Sequence, residues 1–106
     1  DVAGFGIFKG DVKKLTINFK VPHIGWNSIS VKKKSKLLNG IYNNSYFYFV
    51  HSYYVEPQDK GIILATTNYG IDFVSGIQKD NIFGVQFHPE KSGEIGLKIL
   101  ENFGKL

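Results

Sequence analysis

An imidazole and a carboxylate stand two residues apart in Phe87-His88-Pro89-Glu90. Residues i and i+2 of an extended segment project to the same side, so His88 and Glu90 are expected to lie next to each other. A carboxylate placed there accepts the Nδ1 proton of the histidine, which fixes the tautomer and leaves Nε2 free as a base. That is two-thirds of a nucleophile–histidine–carboxylate triad. The same four residues also suit a plainer role, in which Pro89 ends a strand and the polar side chains close a turn. A thiol from these 106 residues cannot complete the set, because they contain no cysteine. The same absence removes disulfides and thiolate zinc sites.

The elements that must position this pair are mostly strands. Leu15, Ile17, Phe19 and Val21 alternate with Thr16, Asn18 and Lys20, which predicts a half-buried strand ending at Pro22. Ile29 and Val31 suggest a short strand before the lysines. Residues 35–39 suit one helical turn closed by Gly40, and Asn43-Asn44-Ser45 suits a loop turn. The unbroken aromatic and β-branched run at residues 46–50 predicts a strand buried on both faces. Residues 62–67 and 71–77 predict an antiparallel hairpin around Asn68-Tyr69-Gly70. A further turn at Lys79-Asp80-Asn81 leads into a strand over residues 82–87, which delivers His88.

The one long helix is last. Ser92 is its expected N-cap, Glu94 suits the positive end of its dipole, and Gly104 its stop. Ile95, Ile99 and Phe103, with Leu100 beside them, form an apolar stripe at helical spacing. About six strands and one helix do not alternate as a complete α/β domain requires. The chain is therefore either a small β-rich domain or a part whose helix-bearing half lies elsewhere. Its opening, Asp1-Val2-Ala3-Gly4 without an initiator methionine, favours the second reading.

Composition narrows the partners. Hydrophobic residues make up 42% of the chain, with Phe 9 and Tyr 6, enough for a packed core rather than disorder. The net charge of +4 comes entirely from lysine, and a nucleic-acid reader ordinarily carries arginine for bidentate contacts. Lys32-Lys33-Lys34 with Lys36 is accordingly assigned to a solvated loop, and no nucleic-acid partner is expected. No apolar stretch approaches the length of a membrane span, and no membrane partner is expected.

Three segments carry a family resemblance over essentially the whole chain. Residues 84–92, Gly-Val-Gln-Phe-His-Pro-Glu-Lys-Ser, resemble the segment bearing the His and Glu of class I, triad-type glutamine amidotransferases. Pro22-His23-Ile24-Gly25-Trp26-Asn27 is similar to the motif that marks the imidazole glycerol phosphate synthase branch. Residues 46–53 resemble that branch's aromatic strand and following turn. The resemblance implies an α/β fold represented here by a β-rich C-terminal half, with mixed or antiparallel strands and one C-terminal helix. Residues 1–106 would form the C-terminal portion of the amidotransferase domain, without the half bearing the Gly-x-Cys-x-Gly nucleophile.

The same resemblance implies glutaminase chemistry, no cofactor, a cytoplasmic setting and an ammonia-accepting synthase (cyclase) barrel subunit as heterodimer partner in histidine biosynthesis. His88 and Glu90 are then the catalytic residues. Ser52 and Tyr53 are candidates to bind glutamine, with His51 between them and the aromatic strand as a structural histidine. Trp26, Asn27, Tyr48 and Lys91 are candidates for the partner interface. Without a cysteine the chain alone is expected to be inactive, and with its sheet cut it is expected to self-associate. Another class I amidotransferase, serving anthranilate or guanylate synthesis, a non-catalytic half-domain, and an aromatic module for single-stranded nucleic acid stay open as alternatives.

Overall fold

The computed structural model describes residues 10–15, 21–80 and 82–106. Eight strands are found among them: β1 (Gly10–Lys14), β2 (His23–Ser28), β3 (Ser30–Val31), β4 (Tyr46–His51), β5 (Tyr53–Pro57), β6 (Ile63–Asn68), β7 (Asp72–Lys79) and β8 (Ile82–Val85). One α-helix, α1 (Gly93–Gly104), follows. Single 3-10 turns occupy Lys36–Leu38, Lys60–Ile62 and Pro89–Lys91. The alternating segment expected over residues 15–21 falls largely on residues 16–20, outside the described residues.

The main sheet runs β1-β5-β7-β6-β3, and β8 pairs with the far part of β7. β2 and β4 form a separate two-stranded sheet. Every pairing is antiparallel among the described residues, so the mixed alternative does not appear. The predicted hairpin is present as β6 and β7, closed from Asn68↔Asp72. At one edge of the sheet, β1 is exposed along its whole length and carries Lys13 and Lys14, a charged edge that discourages further strand addition.

A single core joins both sheets to the helix. Phe47 and Phe49 are completely buried and pack with Ile29, Leu64, Phe73, Phe87 and Ile99. The expectation that residues 46–50 are buried on both faces is corrected. β4 alternates, with Phe47 and Phe49 inward and Tyr46 and Val50 exposed, because only one side of the two-stranded sheet is covered. The helical stripe is also half right. Ile99 is buried, but Phe103 and Leu100 are exposed, since α1 packs on the core along one narrow line.

That line is held by polar side chains as well as apolar ones. Asn102 is buried on α1 and its amide donates to the carbonyls of Leu37 and Asn39, at 2.8 and 2.7 Å. The bonds satisfy two carbonyls at the end of the 3-10 turn, which a buried chain could not leave unpaired. Ser35 caps the start of that turn by accepting from the Leu37 N–H at 3.1 Å. Lys33, assigned above to a solvated loop, is half-buried and donates to the carbonyls of Gly61 and Gln78. It pins the lysine run to the sheet. No helix among the described residues is long and apolar enough to cross a membrane.

Candidate active site

His88 follows β8 and the Phe87 bridge, as expected, and stands in extended conformation at the start of the 3-10 turn Pro89–Lys91. Phe87 bridges to Phe49 of β4, and the His88 N–H donates to the Tyr48 carbonyl at 2.9 Å. Pro89 then turns the chain with a fixed φ and no N–H to satisfy. The turn brings Glu90 back beside the histidine: His88 Nδ1 lies 2.8 Å from Glu90 Oε2. This hydrogen bond, with the positive field of the histidine, holds the Glu90 carboxyl below the usual carboxylate range. Glu90 is thus ionised at neutral pH. In the neutral ring His88 donates from Nδ1, which leaves Nε2 bare.

The backbone under His88 is fastened by Ser92. Its hydroxyl donates to the His88 carbonyl at 2.6 Å and accepts from the Tyr48 N–H at 2.9 Å. Ser92 stands at the N-cap position of α1, as expected, but makes no side-chain cap bond. The reading of it as a cap is corrected: its hydroxyl is committed to tying β4 to the site. Gly96 permits the close approach of α1 to this turn, since a Cβ there would lie 1.9 Å from the Pro89 carbonyl oxygen.

Ser52 joins β4 to β5 and is half-buried, and Tyr53, the first residue of β5, is exposed. The Ser52 carbonyl accepts from the Leu15 N–H at 2.9 Å. The Tyr53 carbonyl accepts from Gln86 Nε2 at 3.0 Å and lies 2.9 Å from His51 Nδ1. Gln86 precedes His88 by two residues, so this bond draws the turn toward the histidine–carboxylate pair. His51 in turn contacts His23, with His23 Nδ1 2.9 Å from His51 Nε2. Burial, with His51 beside it, depresses His23 to about 4. Burial also lowers His51, against the opposing bond to the Tyr53 carbonyl and with a further push from His88.

Of the four interface candidates, Trp26 and Tyr48 come together, Asn27 is sent to the other face, and Lys91 follows Glu90 in the 3-10 turn. Trp26 and Tyr48 are partners across the β2–β4 register, and their rings meet edge to face at 5.9 Å. Trp26 is 55% exposed, and Ile24, Tyr46 and Val50 are exposed on the same face. Asn27 projects to the other face. Its amide donates to the Asn68 carbonyl at 2.8 Å and faces His23 Nε2 at 3.4 Å. Grouping Asn27 with Trp26 is therefore corrected by the pleat of β2, which sends adjacent residues to opposite sides. Lys91 is exposed one residue beyond Glu90, and its field adds to the depression of Glu90. Gln86 and His23 escaped the sequence reading, although His23 lies opposite His51 once the two aromatic segments are paired.

The histidine–carboxylate pair stands open on a hydrogen-bonded stretch of β4, and its geometry lets Nε2 take a proton from a neighbouring group. The model of the glutamine amidotransferase class-I family matches residues 6–105, and the chain belongs to that family. Its β-rich sheet with one C-terminal helix accords with the α/β fold of the family.

Within the family the similarity is specific. The chain is 57% identical over 105 residues to the imidazole glycerol phosphate synthase subunit HisH of Methanocaldococcus jannaschii. It is 58% identical over 104 residues to the subunit of that name from Pyrococcus furiosus, and 55% over 103 residues to that from Caldanaerobacter subterraneus. These alignments take in 99%, 97% and 97% of this chain but 53%, 53% and 51% of the relatives. The chain spans about half the length of the curated relatives it matches.

Proposed function

We propose that the chain supplies the base and carboxylate of a glutaminase that provides ammonia to a synthase (cyclase) barrel subunit in histidine biosynthesis. The observation that carries this reading is the 2.8 Å bond from His88 Nδ1 to Glu90. The names of the relatives support the branch, and the identity to them is high enough for shared chemistry.

The nucleophile is a thiol from outside residues 1–106, which hold no cysteine. His88 Nε2 takes the thiol proton as sulfur bonds to the side-chain amide carbon of glutamine. As the carbon–nitrogen bond breaks, Nε2 returns that proton to the leaving ammonia. Water then cleaves the thioester to glutamate. Glu90 holds the ring and stabilises the imidazolium formed between these steps, without taking the proton itself. Ser52 and Tyr53 line the approach and bind glutamine. Trp26 and Tyr48 with Lys91 form the partner face, with Asn27 behind it. The exposed Trp26 on the half-buried Tyr48, flanked by Ile24, Tyr46 and Val50, has the composition of an interface centre.

The test is a chimaera of this chain with the portion of the Methanocaldococcus jannaschii relative that it leaves uncovered. His88→Asn should lower glutamine-dependent turnover by about a hundredfold or more, and Glu90→Gln by at least about tenfold. Ammonia-dependent synthesis by the partner should survive both. A His88→Asn enzyme with near wild-type glutamine turnover refutes the reading. The 106-residue chain alone should release no glutamate.

A second reading applies to the chain by itself. Leu97, Leu100, Phe103 and Leu106 are exposed together on and after α1. Such a face drives association in water, and we expect self-association of the isolated chain. A monomer by light scattering at high concentration removes this reading.

A further inference from the structure

The groups behind the Ser52–Tyr53 turn admit one arrangement of hydrogens. A carbonyl only accepts, so His51 Nδ1, 2.9 Å from the Tyr53 oxygen, carries the hydrogen. In the neutral ring His51 Nε2 is then bare, and it accepts from His23 Nδ1 at 2.9 Å. That leaves His23 Nε2 bare, facing the Asn27 amide nitrogen at 3.4 Å. The orientation of Asn27 is fixed independently. Its Oδ1 accepts from the Ser28 N–H and its Nδ2 donates to the Asn68 carbonyl, both at 2.8 Å. Every donor in the series points from Asn27 toward Tyr53.

The rings are also mechanically confined. His23 is stacked between Tyr69 at 3.9 Å and Phe49 at 4.9 Å, and His51 lies 5.0 Å from Phe73. We propose that Asn27, His23 and His51 form a positioning relay that holds the Ser52–Tyr53 turn in the geometry that binds glutamine. The proposal rests on the glutaminase reading above and deepens it, since none of the three need touch substrate. A proton added to either ring would set two donors against each other and break the series. The depressed titration of both rings keeps them neutral and is consistent with this arrangement.

The experiment uses the same chimaera. A long-range proton–nitrogen NMR spectrum of the imidazoles, assigned by loss of peaks in single variants, should show His23 and His51 both as Nδ1–H tautomers. His51→Phe should raise the glutamine KM about three- to tenfold, the range one net hydrogen bond commands, with a smaller change in kcat. His51→Asn retains a donor at the Nδ1 position and should recover most of that loss. An Nε2–H tautomer at either histidine overturns the proposal. So does an unmoved KM in His51→Phe, or a fall confined to kcat. A wild-type chimaera that hydrolyses no glutamine refutes the glutaminase reading itself, and with it a substrate role for the turn.

Discussion

His23 is 2% exposed, and its protonation is opposed first by burial and then by His51. The groups facing it are His51 on β4, Asn27 on its own strand, Tyr69 at the β6–β7 turn and the rings of Phe49 and Phe73. Among the described residues no carboxylate faces it to favour a charge. In the unfolded chain the ring titrates near its ordinary value of 6.5, and in the native chain at about 4. Between these values the unfolded state binds a proton that the native state refuses, so stability rises with pH across that window. The contribution is complete above about 6.5 and lost as pH falls to about 4. At about 1.4 kcal/mol per pH unit, the loss is on the order of 3 kcal/mol, a large share of the roughly 5–15 kcal/mol that holds a domain together. The perturbation is His23→Asn, which keeps a donor toward His51 but cannot titrate. Urea unfolding followed by far-UV circular dichroism, from about pH 7.5 to about pH 4, gives the stability of each form. Wild type should lose about 3 kcal/mol more than the variant over this range. Glu90 and the other carboxylates titrate in both forms and cancel in the difference. The variant starts lower, because the ring stack on Phe49 and Tyr69 is gone, but only the slope matters. Parallel pH profiles would refute the claim that His23 is held neutral by its surroundings.

Gly96→Ala sets two effects against each other. Alanine is the better helix former by about 1 kcal/mol, but its Cβ would meet the Pro89 oxygen at 1.9 Å, and overpacking of this kind costs about 1–3 kcal/mol. We expect net destabilisation in urea, and weaker glutaminase activity of the chimaera because the turn carrying Glu90 must move; a stabilised variant contradicts the close packing described. Trp26→Ala should leave stability nearly unchanged, since the ring is 55% exposed, while weakening the synthase partner's binding by about thirtyfold or more. Titration calorimetry against the barrel subunit measures this, and an unaltered Kd removes Trp26 from the interface.

The sequence made some elements legible and hid others for definite reasons. The β6–β7 hairpin was readable because its buried residues and turn fall where the pattern puts them, and α1 because its apolar residues recur at helical spacing, although only Ile99 of the stripe is fully buried. The histidine–carboxylate pair was readable because two residues of separation leave little freedom, even though a 3-10 turn rather than a fully extended segment brings them together. β1 was hidden because an exposed edge strand of Gly-Asp-Val-Lys-Lys has no core face to display. β5 was hidden because Tyr53–Pro57 packs only partly and lacks a clean alternation.

β2 is the instructive failure. His23–Ser28 has the period of a strand but with its polarity reversed: Ile24 and Trp26 point outward, while His23 is buried and Asn27 is bonded on the inner side. A strand selected only for stability would turn Ile24 and Trp26 into the core and leave the histidine in water. Burying an imidazole and an amide instead costs desolvation, which the structure offsets only by completing their hydrogen bonds to His51, Asn68 and Ser28. Gly25, at φ +129°, sits in a backbone conformation that side chains rarely adopt, between these two inner groups. Local rules broken together in six residues, on the strand paired directly to β4, mark a segment shaped by something besides folding. Its outer face supplies the exposed aromatic ring that a partner can cover, and its inner face supplies the donors that reach His51 and, through it, act on Tyr53. The inversion serves both proposed roles at once: exchanging His23 and Ile24 would remove a member of the relay and an apolar residue flanking Trp26 in a single step.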